Sequence, residues 1–332
     1  PLAIINHINA YGATIAPGDV IAITPHSPRI RILYRRGSNS NALFVTHQCN
    51  NRCLVCAQPP RAGKDIPLEE ALALLPLIDK TEPSLGVTGG EPTLLGEGLV
   101  TIVTTAAKHL PNTQLHILTN GRLLGRTDLA QRISLSGHPD VLWGVSLHAD
   151  TARAHDALAG AVGAFDETLR GIYQLAANRQ RVEIRVVLQC ANTRRLEQLA
   201  YFIYRNLSFV SHIAFMGLEP IGLARANRNS VWADPHEYAE ALEAAAYFLA
   251  NRGLSVSVYN LPHCVLPQSL WRFARKSISD WKNSFREDCH RCAAFEQCAG
   301  FFESADDSWV SRIMKPICKH SEEGVEASCE TG

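Results

Sequence analysis

Short apolar runs of strand length alternate with longer segments of helical periodicity from residue 42 to about residue 225. That alternation is the pattern of successive strand–helix–strand units built around a parallel sheet. Candidate strands fall at 42–46, 85–88, 114–119, 142–147, 182–189 and 212–217, with helices predicted between them at 67–78, 97–109, 166–178 and 196–205. The first helix would begin at Pro67, a position that tolerates the missing amide donor of proline. Six such units predict an α/β fold, a partial (β/α)6 TIM-like barrel, whose working face lies at the C-terminal ends of its strands. Residues just after each apolar run are therefore expected to converge.

The flanks follow a different rhythm. Residues 1–41 carry Ile and Val punctuated by Gly, Pro and Ser, as in Gly18-Asp19-Val20-Ile21-Ala22-Ile23-Thr24-Pro25, which predicts a small β-rich extension of short strands and turns. After about residue 225 the alternation stops, one long helix is predicted at 235–251, and the remainder is irregular and rich in cysteine. The expected division is an extension at 1–41, a core at 42–225 and a C-terminal region at 226–332. No repeat of fixed period is present, and the tail at 321–332 is polar.

Composition refines this only slightly. A hydrophobic fraction of 46% with 19% charged residues suits a folded chain rather than a disordered one. Lys and Arg number 32 and so do Asp and Glu, so the broad basic footprint of a nucleic-acid-binding domain is missing and no nucleic-acid partner is expected. No stretch approaches the ~18 uncharged apolar residues of a membrane span. The start, Pro1-Leu2-Ala3-Ile4-Ile5-Asn6-His7, lacks a charged leader and a long apolar run, so a cytoplasmic protein without a membrane partner is expected. In a reducing compartment ten cysteines are not expected as disulfides, and their clustering points to metal or catalysis.

Three of them, Cys49, Cys53 and Cys56, fall within eight residues directly after the first strand. Three thiolates suit three irons of a four-iron cubane and leave the fourth iron with an open position, where chemistry occurs. A zinc site completed by His47, or three unliganded cysteines in a loop, are the alternatives. Cys264, Cys289, Cys292 and Cys298 form C-x24-C-x2-C-x5-C, enough thiolates to saturate a cluster, which favours electron transfer or structure over direct chemistry. Four-cysteine zinc is the alternative there. Of the rest, Cys190 ends an apolar strand like a small buried hydrophobe, and Cys318 is a possible spare ligand, with Cys329 unassigned.

Beyond the second run comes Gly86-Val87-Thr88-Gly89-Gly90-Glu91-Pro92. Gly89 and Gly90 lack Cβ and so let backbone approach a ligand closely, while Pro92 should hold Glu91 extended. A carboxylate so placed can meet an ammonium in a charge-assisted bond, although such a run taken alone is equally a turn. The fourth run ends Val145-Ser146-Leu147-His148-Ala149-Asp150, and Arg185 interrupts the otherwise apolar fifth. Taken singly, Ser146 and His148 are as readily a strand-end serine and a satisfied histidine. No nucleophile–base spacing stands out, so hydrolysis has little support and no catalytic residue is assigned.

The C-x3-C-x2-C loop after a strand, with Gly-Gly-Glu-Pro one strand later, resembles the radical S-adenosylmethionine enzymes. That resemblance implies a 4Fe-4S cluster on Cys49, Cys53 and Cys56 with S-adenosyl-L-methionine at its open iron, and Gly89, Gly90 and Glu91 receiving the methionine amino group. It further implies that Ser146 and His148 contact ribose and carboxylate, and that main-chain groups near Gly217 meet adenine, with Met216 packed in the core. Two positions depart from the family pattern. Val55 stands where an aromatic residue commonly leans on adenine, and Ala159 stands near the usual carboxylate-binding arginine, for which Arg185, or else Arg153, would substitute. The implied activity is reductive cleavage of the sulfonium to methionine and a 5′-deoxyadenosyl radical that abstracts substrate hydrogen.

The second cysteine group resembles the auxiliary 4Fe-4S extensions of peptide-modifying radical enzymes, with Phe302 where their commonest variant has a further cysteine. Together with the loop at 49–60, Gly217-Leu218-Glu219-Pro220 and Leu261-Pro262-His263-Cys264, it looks like the His-Xaa-Ser system radical maturases over residues 42–302. This implies a peptide or protein substrate with His-Xaa-Ser repeats, a partner maturase, small accessory proteins and an electron donor. A radical enzyme acting on RNA or a small molecule, and a non-catalytic metal-binding or electron-transfer protein, are the alternatives.

Overall fold

The computed structural model describes residues 9–10, 13–23, 30–61, 68–277, 279 and 282–318; Pro67, the tail at 321–332 and Cys329 lie outside them. The extension holds two antiparallel hairpins, β1 (Asn9–Ala10) with β2 (Ala13–Thr14) and β3 (Val20–Ile23) with β4 (Ile30–Tyr34). Eight further strands form one parallel sheet in chain order: β5 (Ala42–Phe44), β6 (Ser84–Thr88), β7 (Gln114–Thr119), β8 (Val141–Ser146), β9 (Arg181–Val187), β10 (His212–Met216), β11 (Val256–Tyr259) and β12 (Ala274–Arg275). Helices fill the crossovers: α1 (Leu68–Leu74), α2 (Glu97–His109), α3 (Leu129–Ser134), α4 (Ala152–Ala159), α5 (Ala164–Ala177), α6 (Cys190–Thr193), α7 (Leu196–Asn206), α8 (Gly222–Ala226), α9 (Arg228–Val231) and α10 (Pro235–Ala250). Among the described residues no helix is long and apolar enough to cross a membrane.

The six predicted strands are all present, but the sheet continues through β11 and β12, past the point where the alternation was read as ending. Val256-Ser257-Val258-Tyr259 alternates apolar with polar because its two faces differ, and the two residues of β12 are too few to leave a pattern. The start of α10 is legible: Asp234 accepts from the His236 amide at 3.1 Å, and Pro235 occupies the first turn.

The chain folds as two compact units, one of residues 1–50, 60–144 and 167–181, the other of 51–59, 145–166 and 182–332. In the first unit β7 alternates cleanly, with Leu115, Ile117 and Thr119 buried and Gln114, His116 and Leu118 half-buried. Leu99, Ile102, Val103 and Ala106 on α2 are wholly buried, at about 0.8 kcal/mol per buried methylene. In the second unit the register sets Ile184 beside Ile213 and Val256, and Val186 beside Phe215 and Val258, as one apolar face. The opposite face of the same strands carries Glu183, Arg185, His212, Ser257 and Tyr259.

Candidate functional site

In the first unit the chain leaving β5 runs on beside the end of β6. Val45 N–H donates to Thr88 O (2.8 Å), Gly90 N–H to Thr46 O (2.7 Å) and Glu91 N–H to Gln48 O (2.8 Å). These bonds tie the Gly-Gly-Glu segment to the cysteine-bearing loop backbone to backbone. A Cβ on Gly90 would lie 2.2 Å from Gln48 O and one on Gly89 2.5 Å from Thr46 O, so the missing side chains make room for the chain's own carbonyls.

Glu91 is extended (φ −140°, ψ 102°), as Pro92 requires, and only 1% exposed. Its Oε1 accepts from Thr93 N–H, Thr93 Oγ1 and Thr119 Oγ1, while Oε2 accepts Asn120 N–H at 2.7 Å. Burial raises its pKa and those four bonds oppose the rise. With one protein donor on Oε2, that oxygen keeps a lone pair for an ammonium.

Thr119-Asn120-Gly121, at the end of β7, escaped the sequence reading although a strand-end Thr-Asn-Gly is a visible turn signal. Asn120 Nδ2 stands 4.0 Å from Cys49 Sγ and donates to Asn50 Oδ1 at 2.6 Å. Its carbonyl accepts from Thr168 Oγ1. Arg122 bonds the Asn50 carbonyl and pairs with Glu167, which is 7% exposed and also meets Arg126.

The rest of the loop belongs to the second unit. Arg52 N–H donates to Ala159 O (2.9 Å) and Leu54 N–H to Leu158 O (3.1 Å), so the end of α4 grips it. Gly160, at φ +61°, would place a Cβ 2.2 Å from Arg52 O. Ala159 is fully buried beneath this contact, which explains why no arginine stands there. Leu223 N–H caps Cys56 O at 2.9 Å and Asn227 Nδ2 caps Leu54 O at 2.8 Å. Asn51 Nδ2 faces Cys53 Sγ at 3.8 Å, burial raises the Cys56 thiol pKa, and Val55 is half-buried. Amide donors aimed at sulfur suit thiolates that hold a cluster.

Ser146 is half-buried at the end of β8, and His148 is 5% exposed with Nδ1 lacking a protein partner. The His148 amide donates to His155 Nδ1 and its carbonyl accepts from Asn192 Nδ2. Arg185 pairs with Glu183 at 2.8 Å; Glu183 also meets His212 Nδ1 at 2.9 Å, and His212 Nε2 meets Ser257 Oγ at 2.9 Å. One arm of the Arg185 guanidinium is thus committed to a network on its own strand face.

Burial holds the His148 pKa down to about 4 from an ordinary 6.5. Between those values the unfolded chain binds a proton that the folded chain refuses, so this stabilisation is complete above pH ~6.5 and lost as pH falls through about 4. The loss is on the order of 3 kcal/mol. Denaturation midpoints of the native protein and His148→Asn, taken from about pH 7 to about pH 4.5, check it. The variant should lose this part of the acid sensitivity; equal pH dependence in both would refute the assignment.

The second cysteine group lies wholly within the second unit. Cys264, Cys289, Cys292 and Cys298 line one cavity walled by Phe285, Phe295, Phe301 and Met314. Backbone N–H groups of His263 (3.3 Å) and Gly300 (3.4 Å) point at Cys298 Sγ, and that of Ile317 (3.3 Å) at Cys292 Sγ. Burial, then the neighbouring thiols of Cys298, Cys289 and Cys292, push Cys264 up to about 12. Thiols that raise one another in this way need a cationic centre to be held as thiolates. The donor types suit a four-iron cluster or a four-cysteine zinc, although the four thiols are not spaced as one ion needs. Among the described residues no group of three or more His, Cys, Asp or Glu is arranged to hold a single metal ion. Cys190 is a half-buried free thiol, whereas Cys318 is disulfide-bonded, contrary to the expectations that the cysteines form no disulfide and that Cys318 serves as a spare ligand.

Residues 43–203 match the family model described as the radical SAM superfamily. The chain is 27% identical to the AdoMet-dependent heme synthase of Nitratidesulfovibrio vulgaris, over 72% of this chain and 64% of that protein. It is 26% identical to a GTP 3′,8-cyclase of Desulforamulus reducens, over 57% and 58%. It thus spans about three-fifths of the length of these curated relatives. Among solved structures, anSMEcpe with bound AdoMet and a Cp18Cys peptide superposes with TM-score 0.58 at 15% identity, covering 81% of this chain and 91% of that one. Streptococcus suis SuiB bound to S-adenosylmethionine gives 0.54 at 15% identity, covering 65% and 49%. Both likenesses, at 15% identity, are in the fold.

Proposed function

We propose that this chain, whose residues 43–203 match the radical SAM superfamily model, is a radical SAM enzyme that modifies a peptide. It would hold a 4Fe-4S cluster on Cys49, Cys53 and Cys56 and an auxiliary 4Fe-4S cluster on Cys264, Cys289, Cys292 and Cys298. The observation that carries this reading is the second site, four thiols around one apolar cavity with amide N–H groups aimed at two of the sulfurs. A saturated centre in addition to an open one suits chemistry in which electrons must be moved as well as a hydrogen atom abstracted. A peptide substrate is supported by two structural relatives, SuiB described bound to precursor peptide SuiA and anSMEcpe described with a peptide. Repeats of the His-Xaa-Ser type, a partner maturase, accessory proteins and an electron donor are the finer form of the reading, resting on the segments at 49–60, 217–220 and 261–264.

The first cluster, when bound, supplies the electron that splits the sulfonium of S-adenosylmethionine. The protein's part is to bind, orient and exclude water. Glu91 Oε2 offers an acceptor for the methionine ammonium while Asn120 N–H and Thr119 fix the carboxylate. Asn51 and Asn120 direct amide N–H groups at the sulfurs of Cys53 and Cys49. His148, neutral at physiological pH, presents an unpartnered Nδ1 for a ribose hydroxyl, with Ser146 two residues earlier. Arg185 would meet the methionine carboxylate with the arm that Glu183 leaves free, and Val55 would take the place of the aromatic contact to adenine.

A small-molecule substrate is the second reading, favoured by the names of the curated relatives, a heme synthase and GTP cyclases. The test is anaerobic reconstitution followed by reductant and S-adenosylmethionine, with and without peptides bearing His-Xaa-Ser repeats. 5′-Deoxyadenosine should form, and only the peptide should change mass in proportion to it. Cofactor cleavage with every peptide left unchanged would favour the second reading.

A further inference from the structure

The C-terminal ends of β9, β10 and β11 enclose a second cavity, apart from the four thiols. Leu188 and Leu218 line it together with the aromatic side chains of Trp232, Phe302 and Trp309. Asn260, the first residue after β11, lines it and is 8% exposed. Its Oδ1 is buried without a hydrogen-bond partner. The backbone there is held at φ +62°, a conformation that asparagine tolerates better than most residues. Gly217 fixes it from the side, since a Cβ on Gly217 would meet Asn260 O at 2.4 Å. A buried acceptor held so firmly at the C-terminal end of a parallel sheet, and left unbonded by the other polar side chains that line the cavity, Tyr238, Ser311, Trp232 and Trp309, calls for a donor from outside.

We propose that this cavity is a recognition pocket for an aromatic side chain with a donating N–H edge, the N–H bonding Asn260 Oδ1 and the ring lying among the aromatic side chains. The assignment rests on the peptide reading above and names the side-chain class that reading leaves open. The cavity volume of about 50 Å³ holds roughly four water molecules by the same measure, which is the scale of a five-membered ring. Aromatic neighbours select a flat guest, and the single orphan acceptor selects a ring that carries a donor. Pro262 and Phe301 line both this cavity and the four-thiol cavity, so a seated side chain would be parted from the second cysteine site by a single layer of residues.

The test uses pyrrole and furan, isosteric five-membered rings that differ in the N–H, titrated into the reconstituted full chain by saturation-transfer NMR. Pyrrole should bind about tenfold more tightly than furan, the worth of one hydrogen bond to a buried acceptor. Asn260→Gly, which suits the positive φ and removes the acceptor, should bring the ratio to about one. Asn260→Asp, which keeps an acceptor and the same backbone preference, should retain it. Equal affinities in the native protein, or a preference surviving in Asn260→Gly, would overturn the proposal. A chain that leaves every peptide unmodified yet prefers pyrrole would sink the peptide reading alone.

Discussion

Gly90→Ala is expected to empty the first cysteine site while the second stays loaded. The new methyl would stand 2.2 Å from Gln48 O and 2.6 Å from Gln48 C, both backbone atoms that no rotamer change can move aside. Relieving the overlap means breaking Gly90 N–H to Thr46 O and Glu91 N–H to Gln48 O, the bonds that align the residues just before Cys49. Iron should fall from about eight to about four per chain, since the damage is confined to one of two cluster sites. Formation of 5′-deoxyadenosine should fall by at least about 100-fold, because a displacement of an ångström at the reacting centre costs that much. Gly137→Ala is the control: φ is +83° but nothing lies within 4 Å, so about 1 kcal/mol of stability should go with iron unchanged. Full iron and full activity in Gly90→Ala would remove the glycine pair from the site.

Cys289→Ala with Cys292→Ala should show the complementary loss. These two thiols line the apolar cavity with Cys264 and Cys298, and removing them leaves half the ligands of a centre that needs four. Iron should drop to about four per chain with cofactor cleavage intact but peptide product lost. About four irons in both proteins, with about one zinc in the native protein and none in the variant, would instead assign the second site to zinc. If the pair also abolishes cofactor cleavage, the two sites are not separate in function.

Much of this was legible along the chain. Strand β7 and helix α2 fall where periodicity puts them, because each has one clean apolar face. The cysteine spacings and Gly-Gly-Glu-Pro stood out because such chemistry needs those residues close in sequence. What escaped was brought together by the fold. The contacts of Asn120 with Asn50 and Cys49 join residues 70 or 71 positions apart, and Arg122 with Glu167 another 45, with no sequence signal for either partnership. The sequence pattern does not reveal strand β11, whose polar face masks the apolar one, nor the pairing of Arg185, expected as a carboxylate ligand, with Glu183 two residues earlier on the same face. The glycine pair was recognised as a close approach, but the approaching backbone is the chain's own.

The most direct test is electron paramagnetic resonance of the dithionite-reduced Cys289→Ala/Cys292→Ala protein, in which Cys49, Cys53 and Cys56 are the one proposed ligand set left complete. A single four-iron signal is expected, and adding S-adenosylmethionine should shift its g-values as the amino acid end takes the fourth iron. A signal indifferent to S-adenosylmethionine, or a protein that takes up no iron at these three cysteines, would contradict the account.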